Sequence, residues 1–217
     1  MILRITAVIT LAALTILAPV QAALLANKVH NNIVYFADNT ETEIKRYSLN
    51  SENFLSAIHL SKSPKAFYID DSGLYVSYGT EIVKSVDEGA NFSAFRTTSE
   101  TIYEIEATDT FIVLAGNSYL QSLNKQTGSF IDEQSTWYTS SKISFSNDQN
   151  LILATTSGIS PGDVLHITFA ADGKFGSTKE GPYHGDYPTG KNLIEFPTQS
   201  RVVDNTGTVY NTLDLTY

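Results

Sequence analysis

Five short apolar segments recur along this chain at near-constant spacing. They are IVYFAD from Ile33, LYVSYG from Leu74, FIVLAG from Phe111, LILATT from Leu151 and RVVDNT from Arg201, with starts 41, 37, 40 and 50 residues apart. A period of about 40 residues is the length of one four-stranded propeller blade. The flanks recur too. A strand and a tight polar turn come before each segment, as in Phe67 to Gly73 and Ile143 to Asn150. A second turn and a third strand come after it: EIKRYSLN, EIVKSVD, YLQSLN, DVLHITF and TVYNTLD. A fourth strand follows in four repeats: FLSAIHL, FSAFRT, SFIDEQ and FGSTKE. Inner strands of a blade are covered on both faces and should read as continuous apolar runs, whereas the outermost should be polar. FIVLAG and SFIDEQ fit those two roles. A two-sheet sandwich also has many short strands, but it lacks a recurring order of turns.

The sequence therefore predicts an all-β chain, a β-propeller of four-stranded antiparallel blades. The blades are expected over about 23–60, 64–97, 101–134, 140–180 and 190–217. The fifth repeat lacks a fourth strand, because Leu213-Asp214 aligns with the start of an outer turn. The expectation is four complete blades and a partial fifth, an N-terminal arc of a ring of about six to eight blades. The alternative is a five-bladed ring with an incomplete last blade.

The outer turn of the second repeat is SVDEGANF, Ser85 to Phe92. Asp87 is suited to accept backbone N–H groups, as aspartates do in tight turns. Gly89 permits a positive φ, and Phe92 is placed to anchor the loop between sheets. These residues resemble the Asp-box turn of sialidase-like (BNR) propellers: Ser85, Asp87 and Gly89 match, while Asn91 and Phe92 replace the usual Thr and Trp. The third repeat's SLNKQTGSF, Ser122 to Phe130, resembles the corresponding turn of quinoprotein and YVTN-type propellers. Ser48-Leu49-Asn50 and Asp172-Gly173-Lys174 are looser relatives. The resemblance implies a fold and a structural turn, not an activity. Sialidase chemistry needs an arginine cluster, and after Arg4 only Arg46, Arg96 and Arg201 occur; the Arg-Ile-Pro motif is absent.

Residues 1–22 read as a secretory signal. Arg4 precedes an apolar run from Ile5 to Val20, and Val20-Gln21-Ala22 supplies the small-residue cleavage site. The run is short for a membrane span. The mature domain is then 23–217, secreted or periplasmic, with no membrane span. It contains no Cys, so apolar burial rather than disulfides must hold it. The formal charge is −9, including Arg4. An acidic chain repels phosphate backbones, which argues against nucleic acid as a partner.

The longest departure from the repeat is KEGPYHGDYPTGK, Lys179 to Lys191. It offers Tyr183 and Tyr187 for stacking on a sugar or peptide, and His184 and Asp186 for hydrogen bonds. A plain connector shaped by Gly and Pro is the competing reading. No metal site is expected. His30, His59, His166 and His184 lack paired-ligand spacing, and Asp70-Asp71-Ser72-Gly73 and Ser146-Asn147-Asp148 are better read as turns. There is no Gly-x-Ser-x-Gly elbow. Carboxylate pairs of glycosidases are defined by distance, so sequence singles out none. Asn91-Phe92-Ser93 fits a glycosylation sequon. These residues point to no catalytic residue and no cofactor. The expected function is an exported scaffold binding protein or glycan. The alternative is the N-terminal part of a propeller enzyme (glycosidase, lyase or quinone-dependent dehydrogenase), and a surface-adhesin module is a third reading.

Overall fold

The computed structural model describes residues 24–136, 139–146, 148–157, 162–183, 190, 193–196 and 199–217. The predicted signal residues 1–22 lie outside that set. Among the described residues every regular element is a strand. Blade one holds β1 (Leu24–His30), β2 (Ile33–Asp38), β3 (Glu43–Ser48) and β4 (Asn53–His59). Blade two holds β5 (Ala66–Asp70), β6 (Gly73–Ser77), β7 (Glu81–Ser85) and β8 (Ser93–Thr97). Blade three holds β9 (Glu104–Ala107), β10 (Phe111–Ala115), β11 (Tyr119–Asn124) and β12 (Phe130–Ser135). Blade four holds β13 (Thr139–Phe145), β14 (Leu151–Ser157), β15 (Val164–Phe169) and β16 (Phe175–Glu180). Blade five holds β17 (Leu193–Glu195), β18 (Arg201–Asp204) and β19 (Val209–Asn211).

Every sheet is an antiparallel meander with strands in sequence order. The first strands β1, β5, β9, β13 and β17 neighbour one another in turn, which is a propeller arrangement of five blades. The five recurring segments are the five second strands. In blade two the equivalence sits one residue earlier than the sequence alignment places it. Gly73, not Leu74, corresponds to Ile33, Phe111, Leu151 and Arg201, as the faces of the strands show. Leu74 packs toward blade one, whereas Ile33, in the position aligned with it, packs toward blade two. In a strand a one-residue slip exchanges the two faces.

Four apolar seams hold the blades, one between each successive pair. The second residue of each second strand faces the preceding blade, and the third faces the following one. Tyr35 thus meets Leu74, Tyr75 shares a seam with Ile112, Val113 with Ile152, and Leu153 with Val202. The second strands of blades two, three and four are buried on both faces, which accounts for their continuous apolar runs. The outer strands β4, β8 and β16 are largely exposed; β16 is correspondingly polar, whereas β4 exposes Phe54 and Leu55.

Candidate functional site

Strand direction sorts the connections onto two rims. Turns between first and second strands share one rim with turns between third and fourth strands. The opposite rim carries the remaining turns and the linkers between blades. SVDEGANF, the β7–β8 turn, lies on the first rim. The Ser85 hydroxyl donates to Asp87 Oδ1 at 2.7 Å and accepts from Gly89 N at 2.9 Å. Asn91 donates to Asp87 through its backbone at 2.9 Å and its side-chain amide at 2.7 Å. These bonds, those from Asn91 and Ser85 foremost, hold the Asp87 carboxyl down at about 2. Glu88 and Gly89 take φ of 57° and 87°. A Cβ on Gly89 would lie 2.3 Å from Ile58 Cγ2, so the turn rests on the outer strand of blade one. Phe92 packs into the seam between blades one and two.

The same rim carries a groove of about 600 Å³ between blades two and three. Ser72 comes from the β5–β6 turn, Lys84 and Val86 from the end of β7, Asp109 and Thr110 from the β9–β10 turn, and Asn124, Lys125 and Gln126 from the β11–β12 turn. Val86 belongs to SVDEGANF, so that stretch lines the groove on one side and rests on blade one on the other. Asn124 Oδ1 accepts Gln126 N at 3.0 Å and Thr127 N at 2.9 Å, the same side-chain logic as Asp87. The Lys125 ammonium pairs with Asp70 and donates to Thr108 O at 2.7 Å. Burial raises the Asp70 carboxyl, but bonds from Lys125 and Ser72 outweigh it and leave the pKa lowered. Ser72 Oγ donates to Asp70 at 2.6 Å, and Tyr75 Oη donates to Lys125 O at 2.9 Å. Lys84 is held differently. Its ammonium sits 4.8 Å from the Tyr75 ring centroid and 5.8 Å from that of Phe95, with a 3.4 Å bond to Lys125 O. Aromatic faces and one long bond leave that cation with donor capacity directed at the groove.

A second polar cluster fills the axis. Lys28 of β1 pairs with Glu106 of β9 and stands 3.9 Å from Glu104; Lys142 of β13 pairs with Glu104. Burial pushes the Glu104 carboxyl up, against the pull of Lys142 and Lys28. Burial lowers the Lys28 ammonium, but Glu106 and Glu104 raise it further, so it stays charged. Lys28 also lies 5.5 Å from the Tyr68 ring centroid. Two lysines and two glutamates thus compensate one another at the axis. Among the described residues no group of three or more His, Asp or Glu is placed to hold a metal ion.

Of the loop residues singled out in the sequence, Tyr183 is described, and His184, Asp186 and Tyr187 lie outside the described residues. Tyr183 stacks on Tyr217 with centroids 4.2 Å apart and planes 10° from parallel. It belongs to the linker between blades four and five, on the rim opposite the groove. His166 is buried in the seam between blades four and five, where burial and Lys179 lower its pKa. The groove and the axial cluster had no motif to announce them. The available signal was ionisable residues inside the first strands: Lys28, Glu104, Glu106 and Lys142.

No family model matches this chain, and no curated protein matches it. Among solved structures, hydrazine synthase of Kuenenia stuttgartiensis is similar over 79% of this chain and 51% of its own, with a TM-score of 0.62 and 11% identity. This chain therefore spans about half the length of that one. The computationally designed Ika4 protein is similar over 74% of this chain and 92% of its own, with a TM-score of 0.52 and 12% identity. At these identities the likeness is one of fold: a β-propeller of four-stranded antiparallel blades.

Proposed function

We propose that this chain is an exported binding scaffold that takes a glycan or protein ligand on its turn-bearing rim, seated in the groove between blades two and three. The observation that carries the reading is the lining of that groove. Hydroxyl, amide and carboxylate groups surround a fixed lysine cation whose donors are mostly unspent. Recognition of hydroxyl-rich or peptide surfaces uses such convergent polar groups in a concave site. The N-terminal signal pattern supports delivery outside the cytoplasm. The test is binding of the exported protein to panels of soluble glycans and of extracellular proteins. Lys84→Met and Gln126→Ala are expected to weaken the ligand found at least tenfold with an unchanged melting temperature. Turnover of that ligand, or an affinity in both variants equal to that of the unsubstituted protein, would overturn the proposal.

A further inference from the structure

The two ends of the row of blades carry the faces that elsewhere form seams. Position two of the second strand is Leu74, Ile112, Ile152 and Val202 in blades two to five, each buried against the blade before it. Blade one has Val34 at that position, and among the described residues no blade precedes it. Val34 pairs with Val29 on one side and Tyr47 on the other, and Tyr47 pairs with Phe54. This apolar ladder crosses all four strands. Phe54 contacts Tyr47 and Phe36 edge-on at 5.2 Å and 6.0 Å. Yet Val29 is 64% exposed and Phe54 69%. At the other end, position three of the second strand is Val203. Its ladder runs Ile194, Val203, Val209, and Ile194 is 65% exposed.

We propose that the blade-one ladder is the seat of a further four-stranded blade on the same polypeptide, so that these five blades are an arc of a larger propeller. Continuity with the four existing seams carries the inference. Each seam joins a position-three face to a position-two face, and among the described residues one face of each kind is left unused. An occupant that satisfies both ends must itself present both faces, which a blade does and a single helix or peptide does not. All four seams join blades of one chain, the first two through the short linkers 60–65 and 98–103. Rings of four to eight blades are usual, so one to three blades complete this one. Apolar faces of this width are seldom left open on soluble proteins.

The test combines intact mass and light scattering of the native exported protein with Phe54→Lys, Ile194→Lys and, as a control on the exposed strand β16, Ser177→Lys. The expected result is a monomer heavier than residues 23–217 by at least one blade of about 40 residues. Phe54→Lys and Ile194→Lys should each lower its melting temperature by about 5 °C, and Ser177→Lys should leave it unchanged. A monomer with the mass of residues 23–217 and indifferent to Phe54→Lys would overturn the proposal. So would a dimer of that chain mass split by Phe54→Lys, because the occupant would then be a second copy. A heavier monomer in which neither lysine changes stability would overturn it as well.

Discussion

Asp87 and Gly89 show how little sequence a blade turn needs. One carboxylate gathers three donors, from Ser85 and from the backbone and side chain of Asn91, and one glycine lets the loop lie against Ile58. Gly89→Ala meets two obstacles at once: a φ of 87° and a Cβ 2.3 Å from Ile58 Cγ2. The expected loss is about 1–3 kcal/mol in urea denaturation. Asp87 makes a separate prediction about pH. Its folded pKa of about 2 lies below the unfolded carboxylate value near 4. Its contribution is therefore present above about pH 4 and is lost as pH falls through about 2. Asp87→Asn should flatten that part of the acid-unfolding curve, followed by circular dichroism. The accepting role of Asp87 toward backbone N–H groups and the role of the glycine were legible in SVDEGANF itself, whereas the donor roles of the Ser85 and Asn91 side chains were not. The contact with Ile58 was not, because it joins two repeats.

Strands were the most legible elements, since burial on one or both faces writes itself into apolar pattern. Four of the five second strands start where the alignment puts them. Blade two differs by one residue, because Gly73 opens β6 and an alignment of apolar residues passes over it. Only the seams reveal the slip: Tyr75 has to face blade three, where its hydroxyl reaches Lys125 O. The first strands hide more. Glu104 reads as a polar interruption, yet it is the buried partner of Lys142 across two blades. Glu104→Gln removes one charge from that buried set and leaves Lys142 uncompensated. Such changes cost about 3–5 kcal/mol, measurable by chemical denaturation, whereas Glu133→Gln on the exposed outer strand β12 should cost under about 1 kcal/mol.

At the scale of the whole molecule, cohesion is a matter of neighbours. Each blade is held by seams to the blades beside it, so stability should vary along the row. Native-state hydrogen exchange is expected to be slowest in β6, β10 and β11, which are buried on both faces. It should be fastest in β17 to β19. Ile112→Ala, at the seam of blades two and three, should cost about 2–5 kcal/mol and speed exchange on both sides of that seam. The propeller itself was legible because the repeat is long and regular. The groove was not, since its walls come from Ser72, Lys84, Asp109 and Asn124, residues of four different turns that only the packing of two blades brings together.

The contact of Lys28 with Glu106 departs from that neighbour rule, because it passes over blade two altogether. In geometric language it is a chord drawn across an arc. An arc of given length whose chord is fixed has a fixed radius. The curvature with which successive blades fan around the axis, given by the packing of the seams, is thus also tied at one place to the combined reach of a lysine and a glutamate side chain. A shorter or longer pair at those two positions would act as a gauge of ring size, changing how widely the blades fan while leaving every seam chemically the same.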